Sequence, residues 1–186
     1  MCDTSGGHGP VSAAMPRAAE GPAADPITLP PVDEVTITTL VDNVFDALLG
    51  SDDRVTRAPF GAGTATAPQF EDGLTTVGLR AEHGFSALVT VRRGDDTTTL
   101  LFDTGLSPDA MVVNADRLGL DVGGLQAVVL SHGHFDHAGG LIGLSRQRGA
   151  RGLPMVIHPG SWARRKLATQ ELPTLTSGPS RARASR

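Results

Sequence analysis

The segment Ser131-His132-Gly133-His134-Phe135-Asp136-His137 sets three imidazoles and a carboxylate within six residues, directly behind the apolar run Ala127-Val128-Val129-Leu130. Crowding these polar groups is costly unless a cation gathers them. Neutral imidazole nitrogen and carboxylate oxygen suit zinc first, with iron and manganese next. A strand ending at Leu130 would hold such a loop rigidly enough to fix ligand geometry. The spacing reads as the lip of a dinuclear hydrolytic centre. Each ion of such a centre wants about four to six donors, water included. Beyond His137 the chain offers one more histidine, His158, and one more acid, Glu171. Either water, substrate or another chain completes the site, or this polypeptide is the front part of a longer enzyme.

The elements that must carry this loop are legible around it. Val35 to Val41 is β-branched and extended, ends in Asp42-Asn43, and precedes a short helical pattern from Val44 to Leu49 stopped by Gly50. Residues 51 to 78 hold Pro59, Gly61, Gly63, Pro68, Gly73 and Gly78 with little periodicity, which predicts a long loop. Phe60 and Phe70 on that loop either close over a ligand or tuck into the core. Phe85, Ala87, Val89 and Val91 alternate, Gly94-Asp95-Asp96 supplies a turn, and Thr97 to Phe102 returns, which makes a hairpin. Ser107 as N-cap with Pro108 behind it, then Met111, Ala115 and Leu118, predicts a helix ended by Gly119. Further on, Ala127 to Leu130 reads as a buried strand and Leu141 to Gln147 as a helix. Pro154 to His158 reads as a strand and Ser161 to Ala168 as a helix.

The 186 residues suffice for one domain with a core and are too few for two ordinary ones. Residues 1–33, crossed by Pro10, Pro16, Pro22, Pro26, Pro30 and Pro31, are expected to be a disordered leader. Met15 is a candidate alternative start. The folded domain is expected over 34–170, and residues 171–186, rich in Pro, Thr, Ser, Gly and Arg, as a disordered basic tail. No apolar stretch reaches the roughly 20 residues of a membrane helix, and the N-terminus lacks a signal-peptide pattern. The lone Cys2 has no disulfide partner. These features predict a cytoplasmic protein.

Net charge is −4, but residues 1 to 145 carry 7 Arg against 19 Asp and Glu, and residues 146 to 186 carry 9 Arg and Lys against one Glu. The halves therefore stand at −12 and +8. A basic end can meet nucleic acid or a phosphorylated ligand, although a solvated basic surface is the plainer reading. With six Phe, one Trp and no Tyr for stacking, a nucleic-acid role is not expected.

The order strand, Asp103-Thr104-Gly105, helix, strand, then His132-x-His134-x-Asp136-His137 resembles the metallo-β-lactamase-fold hydrolases over residues 34 to 170. Within that fold, several segments resemble the dihydropterin-ribofuranosylaminobenzene phosphate synthase branch. These are Leu40-Val41-Asp42-Asn43, Glu82-His83-Gly84-Phe85-Ser86, Leu101-Phe102-Asp103-Thr104-Gly105, Asn114-Ala115 and Leu130 through Gly140. The resemblance implies an α+β fold, the αββα sandwich, truncated here to its front part. It implies that His132 and His134 bind one divalent metal and Asp136 and His137 a second, two per complete site. It also implies that Asp103 supports the metal loop from behind, unless it is an ordinary turn acid. The family's later histidines and bridging acid have no counterpart after Glu171. His158 is the candidate substitute or pocket residue, His83 reads more readily as structural, and His8 has no expected role.

The chemistry so implied is hydrolysis. A divalent metal lowers the pKa of water from 15.7 towards ~7, and two ions about 3.5 to 4 Å apart act together on an ester, amide or phosphoester. Asp136 is the catalytic candidate that orients the nucleophile or takes its proton. His158, Arg164 and Arg165, with Lys166, would grip a phosphate or carboxylate of a small-molecule substrate, or simply form a solvent-facing basic turn. The reading from residues is a metallohydrolase, completed by a homo-oligomer or a complementing chain. The alternative is a weak or inactive fragment that binds at most one metal, its half-sandwich edge exposed.

Overall fold

The computed structural model describes residues 27–59, 61, 63–148, 152–162, 165–167 and 175–177, the last two stretches as backbone. Pro31–Arg186 group as one compact unit, and the elements below belong to it. In chain order they are β1 (Glu34–Val41), the small hairpin β2 (Gly63–Thr66) and β3 (Leu74–Val77), and the long hairpin β4 (Ser86–Arg93) and β5 (Asp96–Phe102). Helix α1 (Ala110–Arg117) follows, then β6 (Ala127–Leu130), the single turn α2 (Phe135–Ala138), α3 (Leu141–Arg148) and β7 (Met155–Ile157). A 3-10 turn at Pro159–Trp162 precedes the short antiparallel pair β8 (Arg165–Leu167) and β9 (Leu175–Ser177).

The main sheet runs β1-β4-β5-β6-β7. Its first three strands are antiparallel, joined by sequence-adjacent pairing between β4 and β5, whereas β5, β6 and β7 are parallel and need helical crossovers. α1 supplies the first crossover, and α2 with α3 the second. Register aligns Leu88, Leu101 and Val128 on one face. There they form the core with Leu40, Val41 and Leu130 and with Ala110, Met111 and Ala115 of α1 and Leu144 of α3. On the other face Ile37, Val89, Leu100 and Ala127 form one row, and Ala87, Phe102, Val129 and Val156 the next. Ile37 is 65% exposed and Val156 59%, so this apolar face meets solvent at its two edges.

Mixed α+β architecture is thus observed, and β1, β4, β5, β6, β7, α1 and α3 fall where the sequence predicts them. Five local readings are corrected. No helix forms over Val44–Leu49: Val44 and Leu48 are 77% and 88% exposed, so a helix there would bury no face, and the Asp46 carboxylate instead accepts the Leu48 N–H at 3.0 Å in an open turn. The loop expected over 51–78 contains β2 and β3. α1 starts at Ala110 and not after a Ser107 cap, and the Ser107 N–H is held by Glu82 Oε1 at 2.8 Å. Asp109 occupies the cap position with its carboxylate turned to Arg80 Nη1 at 2.8 Å. Finally, the described residues of 161–168 do not form the expected helix: the Ser161 N–H closes on His158 O at 2.8 Å, and Arg165–Leu167 is extended. Leu175–Ser177, expected in a structureless tail, pairs with that strand. The leader up to residue 26, Phe60 and Arg164 lie outside the described residues.

Candidate metal centre

Phe102 pairs with Val129, so β5 and β6 end side by side and release Asp103 and Ser131 at neighbouring points. Asp103 turns sharply there, with φ +53°, a left-handed conformation that Asp tolerates better than most residues. The turn drives its side chain inward to 1% exposure. Oδ1 accepts the Ser131 N–H at 2.8 Å, and Oδ2 accepts the Ser131 hydroxyl at 2.6 Å and His137 Nδ1 at 2.8 Å. A carboxylate only accepts, so His137 donates from Nδ1, and Nε2 is the nitrogen left to face the other motif residues.

The same logic fixes the next ring. Ser131 spends its one hydroxyl proton on Asp103, so His132 Nδ1, 2.9 Å from that oxygen, must donate to it. His132 Nε2 is then the bare nitrogen, and it lies 3.0 Å from His134 Nδ1. One ring nitrogen each of His132 and His134 and an Asp136 carboxylate oxygen all fall within 4.8 Å of one another. His137 Nε2 approaches Asp136 Oδ2 at 3.6 Å, and its ring centroid is 4.2 Å from that of His132. The donor set is neutral imidazole plus carboxylate with carboxylate-backed rings, which fits a divalent ion of the zinc, iron or manganese type.

Burial and the charges that His137 and His134 would carry push the His132 pKa below its ordinary 6.5. The unfolded chain therefore takes up that proton more readily. This contribution costs the metal-free fold stability as pH falls below 6.5 and costs nothing above it. The His132 ring is expected to titrate below 6.5 in metal-free protein, followed by its Cε1–H resonance. A midpoint at or above that value contradicts this account.

The loop is locked against its neighbours. Thr104 N–H and hydroxyl both reach His137 O, at 2.8 and 3.1 Å, and the Gly139 N–H reaches Gly105 O at 2.9 Å. Cβ atoms at Gly133, Gly139 and Gly140 would lie 2.2, 1.8 and 2.1 Å from backbone oxygens of Ser161, Leu106 and Thr104. Only glycine permits those approaches.

The four motif residues expected as ligands thus converge, and Asp103 stands behind two of them. His158 does not join the group among the described residues: its Nδ1 accepts the Gly160 N–H at 3.0 Å and the residue is exposed. Arg165 belongs to β8, described only as backbone. Two residues at the site escaped the sequence reading. Ser131, hidden in plain view at the start of the motif, bridges Asp103 and His132. His83, set aside as structural, has Nε2 3.2 Å from Asp136 Oδ2.

The metallo-beta-lactamase superfamily model matches residues 80–181, more than half of the 186. The chain belongs to the metallo-β-lactamase superfamily. A curated relative, the 7,8-dihydropterin-6-methyl-4-(beta-D-ribofuranosyl)-aminobenzene-5'-phosphate synthase of Methanocaldococcus jannaschii, is 32% identical over 79 residues, which are 42% of this chain and 26% of the relative. An uncharacterized protein of the same archaeon is 41% identical over 61 residues, 33% of this chain and 22% of that one. This superfamily member therefore spans about a quarter of the length of the curated relatives it matches. Among solved structures, a subclass B3 metallo-beta-lactamase of Bradyrhizobium japonicum aligns at 26% identity and TM-score 0.28, covering 34% of this chain and 24% of that one. One from Novosphingobium pentaromativorans aligns at 29% and 0.28, covering 37% and 26%. The superfamily's fold is that of metal-dependent hydrolases, and among the described residues no helix is long and apolar enough to cross a membrane.

Proposed function

We propose that this chain contributes the metal-binding half-site of a dinuclear metallohydrolase, with His132 and His134 serving one ion and Asp136 and His137 the other. The observation that carries the reading is the mutual 4.8 Å approach of His132, His134 and Asp136, with His137 directed at the same carboxylate. A divalent ion held there supplies Lewis acidity and brings the pKa of water from 15.7 towards ~7. The remaining work belongs to side chains. Asp103 and Ser131 hold His137 and His132 by their Nδ1 atoms, which leaves each Nε2 for an ion. Asp136, 9% exposed, orients the attacking water or receives its proton.

The substrate class proposed is a phosphorylated, pterin-like small molecule or an ester, after the name of the synthase relative. His158, Arg164 and Arg165 are proposed to hold its anionic group, and the single cysteine suits work in the cytoplasm. A one-ion centre is the second reading, favoured by the fact that one three-donor group is found among the described residues.

Elemental analysis of purified wild type beside His134→Ala decides between them. Near two ions per chain, lost in the variant together with hydrolysis of a generic phosphodiester, is the expected result. One ion supports the second reading, and no ion in the wild type refutes both.

A further inference from the structure

His83 has no packing role, being 71% exposed at its side chain, yet its Nε2 lies 3.2 Å from Asp136 Oδ2, 53 residues further along the chain. An exposed side chain ordinarily samples many rotamers, so the contact matters only if the backbone beneath it is fixed. It is fixed on both sides. Asn114, wholly buried on α1, accepts the Arg80 N–H and donates to Arg80 O, both at 2.9 Å. The Glu82 N–H reaches Asp42 O at 3.1 Å, and its carboxylate accepts the N–H groups of Leu106 and Ser107 at 2.9 and 2.8 Å. Gly84 follows with φ +119° and presses so closely on the Asp136 backbone that a Cβ would sit 2.1 Å from Asp136 O. The chain from 80 to 84 is thus built onto the metal loop, and the residue between its two anchors is an imidazole.

Asp136 Oδ2 is consequently faced by two rings: His137 Nε2 at 3.6 Å from its own loop and His83 Nε2 at 3.2 Å from another element. Carboxylates that ligate metals are characteristically held by further polar partners, whose loss weakens metal affinity by about 10–100-fold. We propose that His83 is a positioning residue that holds the Asp136 carboxylate in the rotamer that reaches the ion. The inference rests on the reading of Asp136 as a metal ligand.

The test is competition of zinc and cobalt(II) with a chromophoric chelator on the full chain, for wild type, Asp136→Ala, His83→Ala, His83→Gln and His83→Asn. Glutamine puts an amide nitrogen near the place of Nε2, whereas asparagine puts one near Nδ1. His83→Ala is expected to weaken uptake by about 10–100-fold and to alter the cobalt absorption bands. His83→Gln should recover most of the affinity and His83→Asn little, with thermal unfolding of the metal-free variants matching wild type. Wild-type affinity and bands in His83→Ala, or equal recovery by glutamine and asparagine, overturn the inference while leaving Asp136 a ligand. A wild type that binds no ion, or an Asp136→Ala variant that binds as well as wild type, overturns the proposed function, and the role of His83 falls with it.

Discussion

Replacing Asp103 with alanine is expected to destabilise the metal-free fold by roughly 3–5 kcal/mol, since three hydrogen-bond donors lose a buried acceptor at about 1–3 kcal/mol each. It is also expected to weaken metal uptake by about 10–100-fold. Three donors lose their acceptor at once: the Ser131 N–H, the Ser131 hydroxyl and His137 Nδ1. With Ser131 freed, the constraint on the His132 tautomer disappears too, so the damage spreads to a ring that Asp103 never touches. Alanine also fits φ +53° poorly, at a cost of roughly 1–2 kcal/mol, whereas asparagine accepts that conformation. Asp103→Asn should therefore keep much of the stability while losing metal affinity, because its amide nitrogen opposes one of the donors. Urea unfolding and chelator competition on both variants read the two effects separately. Indistinguishable alanine and asparagine variants would remove the backbone part of this account, and an alanine variant within about 1 kcal/mol of wild type would remove the rest.

Gly84→Ala should be nearly as costly, at roughly 2–5 kcal/mol from overpacking combined with backbone strain. The methyl group would arrive 2.1 Å from a backbone oxygen, which no rotamer change relieves, and φ +119° disfavours any side chain. Gly94→Ala provides the control. It too has positive φ, at +57°, but nothing lies within 4 Å of its Cβ, so about 1 kcal/mol is expected. If the two variants melt alike, the close approach of the 80–84 segment to Asp136 is not rigid in solution.

Which parts of this molecule could be read from its residues follows from what each part buries. Strands β4 to β6 and helix α1 place Leu88, Leu101, Val128, Met111 and Ala115 in one core, so their apolar spacing is written into the chain. β2 and β3 bury almost nothing, and Gly63-Thr64-Ala65-Thr66 therefore carries no alternation to notice. Val44 to Leu49 shows the reverse, an apolar spacing without a surface to pack against. At the site, the ligands were legible because they are neighbours in sequence. Asp103 was reached through a resemblance, and its left-handed turn has no sequence signal beyond the residue type. His83 was illegible for a different reason: its partner is 53 positions away, and only the anchoring by Asn114 and Glu82 brings the two together.

The glycines of the metal loop, with Gly84 packed on it, limit how this frame can change. Gly84, Gly133, Gly139 and Gly140 each admit a backbone oxygen from a different segment at a distance no other residue allows. The ligand frame is consequently a keystone that cannot drift by small steps, since any side chain at these four positions dislodges a whole segment at once. The described residues between 43 and 79 meet no backbone oxygen in this way, being largely exposed and tied together mostly by local turns and one small hairpin. Substitutions are therefore expected to be absorbed singly in that excursion, whereas the metal loop accepts them only with compensating changes in the segments it touches.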